Sequence, residues 1–210
     1  PLSVGCIGRA GTGHGNDAAR RCDVVVGVGT HFTDIDTGGW TLFDIPGRTR
    51  LIHLDIDPAE LSRVYPTSVA LACDARPGLE ALTEAAREAG IGERADWLKE
   101  IAKERQSWND SVADQRSSDI APLHYARICH DTATVVAETD PEMPIFFDTG
   151  HLLSFGPPFL KTSSRYTANN GFFHRMGWSA SAIVGASIAQ GDRPALALIG
   201  DGSFIMGGTA

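Results

Sequence analysis

Short apolar runs alternate with stretches of helical periodicity along most of the chain. Residues 22–28 form an apolar run that reads as a buried strand, and 50–56 and 68–73 read as a second strand and a third, short one, as in a parallel sheet. A short helix is expected around 15–21, and another where Leu79, Leu82, Ala86 and Ala89 recur at helical spacing before Gly90 stops them. Pro58 stands where it would open a short helix from its favoured first-turn position. From 91 to 118 the pattern turns polar, with Trp97, Ile101 and Trp108 isolated among charged side chains. This predicts a surface helix, then a polar linker with a domain boundary at 114–119. Beyond it, His124, Ile128, Ala133 and Val136 mark a helix, 145–148 a strand, and 195–199 a further buried parallel strand after the turn pair Arg193-Pro194. Strands alternating with helices place the chain in the α/β class, as two parallel-sheet, helix-flanked units over 1–118 and 119–210.

The last strand leads into Gly200-Asp201-Gly202-Ser203-Phe204. A Gly-Asp-Gly turn at a strand's carboxyl end sets one carboxylate among exposed backbone N–H groups. Asp supplies a hard oxygen and the glycines let the backbone approach phosphate, which suits a divalent cation carrying a diphosphate. Taken alone, the same turn also describes an ordinary strand-to-helix connection with Asp201 as a helix cap.

Upstream lies Gly171-Phe-Phe-His-Arg-Met176-Gly177-Trp178, followed by a stretch of small residues to Ala186. Read together with Gly-Asp-Gly-Ser-Phe-x-Met, this segment resembles the cofactor-binding domain of thiamine-diphosphate-dependent enzymes, and within them the acetolactate synthase-like group. Order and spacing match, as does Met206 five residues after Asp201. The resemblance implies a magnesium ion on Asp201 and a diphosphate received by the backbone around Gly200, Gly202 and Ser203. It sets Gly171 and Met176 against the pyrimidine ring, bending the cofactor so that its own 4′-amino group activates the thiazolium carbon. Trp178 and Phe172 either shape a substrate pocket or pack, and His174 and Arg175 are candidates for an acidic substrate. At Asp148-Thr149-Gly150-His151 the group has Asp-x-Gly-Gln-His, whose Gln and His touch the diphosphate. Gly150 is kept, whereas His151 and Leu152 replace those two residues. His151 is open to two readings, a diphosphate donor or an ordinary loop histidine.

By the same resemblance, 1–118 is the carboxyl part of a central nucleotide/flavin-binding-like domain with a linker, and 119–210 the first half of the thiamine-diphosphate-binding domain. Residues 29–38 resemble a flavin-contacting segment in which both arginines are replaced, by His31 and Ile35. Asp55 and Asp74 match positions at the adenine end of FAD or another adenosine ligand. Bound FAD and a vestigial nucleotide fold are both open. The glycine-rich stretch 8–15 fits neither Gly-x-Gly-x-x-Gly nor the Walker spacing, and reads as a flexible turn or a phosphate rest. His124 and His130 lie six apart, off one helical face, which argues against zinc.

The implied activity is decarboxylation of a 2-keto acid with transfer of the acyl-anion unit, using thiamine diphosphate and Mg2+. Alternatives are a decarboxylase or dione hydrolase on the same scaffold, a non-catalytic nucleotide-binding module, or a degenerate structural homologue. Such sites form between subunits, so a homodimer or homotetramer is expected. The family's downstream metal-ligating Asn and its activating Glu fall outside these 210 residues. A stretch of a longer subunit is therefore expected, inactive alone, with its catalytic residue unknown. The net charge of −8, with no basic cluster, argues against nucleic acid. No apolar run approaches the roughly 18 residues of a membrane span. Cys6, Cys22, Cys73 and Cys129 are scattered without a C-x-x-C pair, as expected of reduced thiols in a cytoplasmic protein.

Overall fold

A computed structural model of the chain describes residues 2–191 and 193–207, apart from the Phe172 side chain. The chain packs as two units, Pro1–Trp108 and Asn109–Ala210. The first carries α1 (Gly13–Arg21), β1 (Val24–Val28), β2 (Arg50–Asp55), β3 (Val69–Ala72) and α2 (Ala75–Glu88), then most of α3 (Ala95–Ser111). Its strands form a parallel sheet in the order β1-β2-β3, with Val28 opposite Leu54 and Asp55 opposite Ala72. Thr12 starts α1 by accepting the Gly15 N–H at 3.1 Å, and Asp74 starts α2 by accepting the Arg76 N–H at 2.9 Å. The connection from β1 to β2 holds Phe32, Leu42 and Phe43, which pack with Ala19, Leu51 and Tyr65 into the core. Phe32, Phe43 and Tyr65 meet edge to face, with centroids 5.6–6.3 Å apart.

Three local expectations differ from the structure. The strands at 22–28 and 195–199 are less buried than expected: Val24 and Val26 stay about half exposed on the sheet face opposite Val25, which packs on the core, and residues 196–198 are only partly buried. Pro58 opens a series of i to i+3 turns instead of a helix, because Ser62 takes a positive φ of 61° that no right-handed helix can continue. The polar stretch after α3 is helical where a linker was expected: α4 (Ala113–Arg116) consists of Ala, Asp, Gln and Arg, and Ala, Gln and Arg need little tertiary support to turn.

The second unit continues with α5 (Tyr125–Thr139), β4 (Ile145–Phe147), α6 (His151–Phe159) and β5 (Thr167–Ala168). A 3-10 turn (Gly171–Phe173), α7 (Trp178–Ala189), β6 (Leu196–Leu198) and α8 (Asp201–Gly207) complete it. His124 caps α5, its Nδ1 accepting the Ala126 N–H at 3.1 Å. Val136 and Cys129 of α5 and Ile145 and Phe147 of β4 are buried, with β4 the central strand of the sheet. The sheet is parallel in the order β5-β4-β6. From β4 the chain adds β5 on one side, then returns past β4 to add β6 on the other. The carboxyl ends of β4 and β6 therefore flank the point where strand order reverses, which is where open α/β sheets hold their ligands.

Candidate functional site

Three segments converge at that point. The Asp148 N–H donates to Leu198 O at 2.9 Å, which sets the turn after β4 beside the turn after β6. The Ser203 hydroxyl donates to Thr149 O at 3.3 Å and ties the two together. The third segment, 169–177, joins through Thr149, whose hydroxyl donates to Asn170 Oδ1 at 3.3 Å. The Asn170 side-chain N–H in turn donates to Arg175 O, closing the loop that carries Met176.

Asp148 is the most engaged carboxylate here. It is fully buried, and it accepts the Gly177 N–H at 2.9 Å, the Ser179 N–H at 2.8 Å and the Ser179 hydroxyl at 2.8 Å. Burial by itself pushes this carboxyl up. The Ser179 N–H and hydroxyl, the Gly177 N–H and the Ser203 side chain together outweigh it and hold the group below the usual carboxylate value. Gly177, at the N-cap of α7, has no side chain to cap with, so Asp148 supplies the missing acceptor from β4.

The residues singled out from the sequence lie around this opening. Asp201 is the exposed first residue of α8, and its Oδ1 accepts the Gly202 N–H at 2.7 Å. Gly200 and Gly150 face open space, with nothing within 4 Å of where a Cβ would stand. Gly150 also has φ 129° and ψ −155°, a region reserved for glycine. Met176 overhangs Gly202: its Cε lies 3.7 Å from the position of a Cβ there. Gly171 begins the 3-10 turn, and Met206 is exposed on α8. Ser203 is buried with its hydroxyl engaged by Thr149 O and by the neighbouring Asp148 carboxylate, so only its backbone can serve a ligand.

The remaining candidates have other neighbours. His151, at the start of α6, is exposed and stacks on Tyr125 at 5.0 Å. Trp178 packs edge-on to Phe146 at 5.7 Å, which favours its packing role. The Phe172 side chain lies outside the described residues. His174 takes a left-handed conformation with φ 46°, and its Nδ1 is buried with no hydrogen-bond partner among the described residues. In the first unit, Asp55 Oδ1 accepts the Asp57 N–H at 2.9 Å, while Asp74 is occupied as the α2 cap. The glycine-rich stretch is held as a fixed turn, with the Gly8 N–H on Asn16 Oδ1 at 2.7 Å and the Arg9 N–H on Ile35 O at 2.8 Å.

The donor set at the β4–β6 edge is one carboxylate, backbone groups and open space. No group of three or more His, Cys, Asp or Glu side chains converges among the described residues. That set fits a hard cation such as Mg2+, which keeps most of its ligands from phosphate and water, and it does not fit an all-protein cage. Thr149, Asn170 and Ser179 hold the site together yet were not singled out from the sequence. Only the turn-forming Asn169-Asn170-Gly171 run signalled one of them. A separate cleft of about 420 Å³ lies away from this edge, between Arg116, His130, Glu138, Phe159 and Lys161. No helix among the described residues is long and apolar enough to cross a membrane.

Comparison with known proteins agrees with the geometry along the chain. Residues 1–82 match the family described as "Thiamine pyrophosphate enzyme, central domain", and residues 148–210 match "Thiamine pyrophosphate enzyme, C-terminal TPP binding domain". The acetolactate synthase large subunit of Parasynechococcus marenigrum is 29% identical over 98% of this chain and 32% of its own length. The probable acetolactate synthase large subunit of Methanocaldococcus jannaschii is 29% identical over 98% of this chain and 34% of its own. The Escherichia coli acetolactate synthase isozyme 2 large subunit is also 29% identical, over 98% and 35%. The chain thus spans about a third of the length of the curated relatives it matches. With both family domains matched in order and the cofactor motifs gathered at one sheet edge, the chain belongs to the thiamine pyrophosphate enzymes and is similar throughout to their acetolactate synthase large subunits.

Proposed function

We propose that the second unit holds magnesium thiamine diphosphate at the carboxyl edge of β4 and β6, as part of an enzyme that decarboxylates a 2-keto acid and transfers its acyl unit. The observation that carries this reading is the convergence of Asp201, Gly202 and Met176 at the reversal of strand order, with Met176 Cε 3.7 Å from the Cβ position of Gly202. Asp201 would ligate the metal through its carboxylate. The backbone at Gly200, Gly202 and Ser203 would take the diphosphate, and Gly150 leaves room beside it. Met176 and Gly171 would meet the pyrimidine ring, Met176 as a flexible apolar wedge. When bound, the cofactor supplies an electron sink for carbanion chemistry at the keto carbon. The chain's own part is to hold charge and ring rigidly and to exclude water with apolar side chains.

A homo-oligomer belongs to the same proposal. α7 is apolar on nearly every side, and Val184 and Ile188 on it are 57% and 74% exposed. A helix apolar all round is normally covered, by more of the same subunit or by a second one. Flavin is not part of the proposal: Asp55 and Asp74 are engaged by a turn and a cap, both arginines of the flavin segment are absent, and no step is derived through FAD.

Calorimetric titration with thiamine diphosphate tests the reading. Binding that requires Mg2+ and is abolished in Asp201→Ala is the expected result. Binding of an adenosine nucleotide with no thiamine dependence would replace it with a nucleotide-binding module.

A further inference from the structure

A buried carboxylate with four donors around it is costly to build, and nothing in the metal and diphosphate assignments uses it. Asp148 has no exposed surface, and it accepts the N–H groups of Thr149, Gly177 and Ser179 together with the Ser179 hydroxyl, all at 2.8–2.9 Å. A local capping side chain is excluded at position 177, whose φ is 85° and where a Cβ would stand 2.6 Å from Gly207 N. The chain instead places glycine there and brings the acceptor from the end of β4, 29 residues upstream. A consequence is that Met176 is fixed relative to the β4 turn rather than to its own helix. The Gly177 backbone also abuts α8: a Cβ on it would lie 2.9 Å from Ser203 O and 2.6 Å from Gly207 N. Asp148 thereby sets the β4 turn, the Met176 loop and the Gly202 turn in one register.

We propose that Asp148 is a positioning residue that holds the Met176-Gly177-Trp178 turn at a fixed height over Gly202, so that Met176 meets the cofactor ring in a set place. The inference rests on the reading that this edge holds thiamine diphosphate. Its chemistry is that of an acceptor-only group: an ionised carboxylate satisfies all four donors, whereas the isosteric amide of Asp148→Asn turns two of its own donors into that cluster.

The test is a double-mutant cycle on thiamine diphosphate affinity in saturating Mg2+, using the full chain. Met176→Ala alone should weaken binding about tenfold, from the lost apolar contact. Asp148→Asn alone should weaken it by about tenfold to a hundredfold. In the Asp148→Asn background, Met176→Ala should change affinity by less than about twofold, because the side chain is no longer held where it acts. Ser179→Ala, which removes one donor and leaves the carboxylate, provides the same cycle with a milder perturbation should Asp148→Asn not fold. Additive effects in the cycle would make Asp148 a structural cap only and overturn the proposal. So would full affinity in Met176→Ala. Absence of any Mg2+-dependent binding by the unsubstituted chain would instead remove the parent reading, and the positioning role with it.

Discussion

The contact between Gly177 and Gly207 gives the sharpest quantitative expectation. Gly177 has φ 85°, so an alanine there occupies the left-handed region at a cost of about 1–2 kcal/mol. Its Cβ would also stand 2.6 Å from Gly207 N and 2.7 Å from Gly207 Cα, well inside the 3.4 Å of ordinary contact. Both neighbours are backbone, so α7 and α8 must separate, and overpacking of this kind adds about 1–3 kcal/mol. Gly177→Ala should therefore destabilise by roughly 2–5 kcal/mol in total. At an m-value of about 2 kcal/mol/M, its urea midpoint by far-UV circular dichroism falls by roughly 1–2.5 M. Gly185→Ala on the same helix is the control, since its Cβ meets nothing within 4 Å. It should raise stability by up to about 1 kcal/mol through helix propensity alone. A Gly177→Ala midpoint within about 0.3 M of the parent, equivalent to about 0.6 kcal/mol at that m-value, would refute the close approach of the two helices.

Further expectations concern single side chains. Thr12→Ala removes the acceptor for the Gly15 N–H and the donor to Val4 O, and should cost about 1–2 kcal/mol in urea unfolding. The Cys129 thiol is pushed by burial from 9.0 to about 11. A raised folded value means its stabilising contribution is whole below pH 9 and is lost as pH climbs through about 11. Cys129→Ala should accordingly flatten the alkaline limb of the stability profile, and an unchanged limb would contradict the buried thiol. For Asp148 the sign is reversed: its folded value lies below the ordinary 3.8, so its contribution is present above that pH and lost as pH falls through the lower folded value. Asp148→Asn should be less stable at neutral pH and lose less on acidification, as measured by thermal melts across the acid range.

The sequence showed the site's parts but not their joints. Gly-Asp-Gly after an apolar run, and Gly-x-x-x-x-Met-Gly before a small-residue helix, are local patterns whose chemistry follows from residue type and spacing alone. The clamp at Asp148 spans 29 and 31 residues to Gly177 and Ser179, and it exists because Phe147 pairs with Leu198 in a particular strand order. No local signal encodes that order. The same blindness holds for β1, whose valines read as uniformly buried although only the face carrying Val25 packs on the core and Val24 and Val26 stay half exposed. At Pro58 a local signal was present but lost to a later one, the positive φ of Ser62, a residue type that does not advertise it. Ser203 shows the converse: its position in the motif was legible, whereas the burial of its hydroxyl against Thr149 depends on the β4 turn.

The most direct test of the account is where the ligand sits. A crystal structure of the chain with thiamine diphosphate and Mn2+ in place of Mg2+ would locate the metal by its anomalous signal. The account predicts a peak within about 2.2 Å of an Asp201 carboxylate oxygen, as for hard cations on carboxylates, with the pyrimidine ring against Met176. A metal peak away from Asp201, or a cofactor bound at the Asp55 edge of the first sheet, would contradict it.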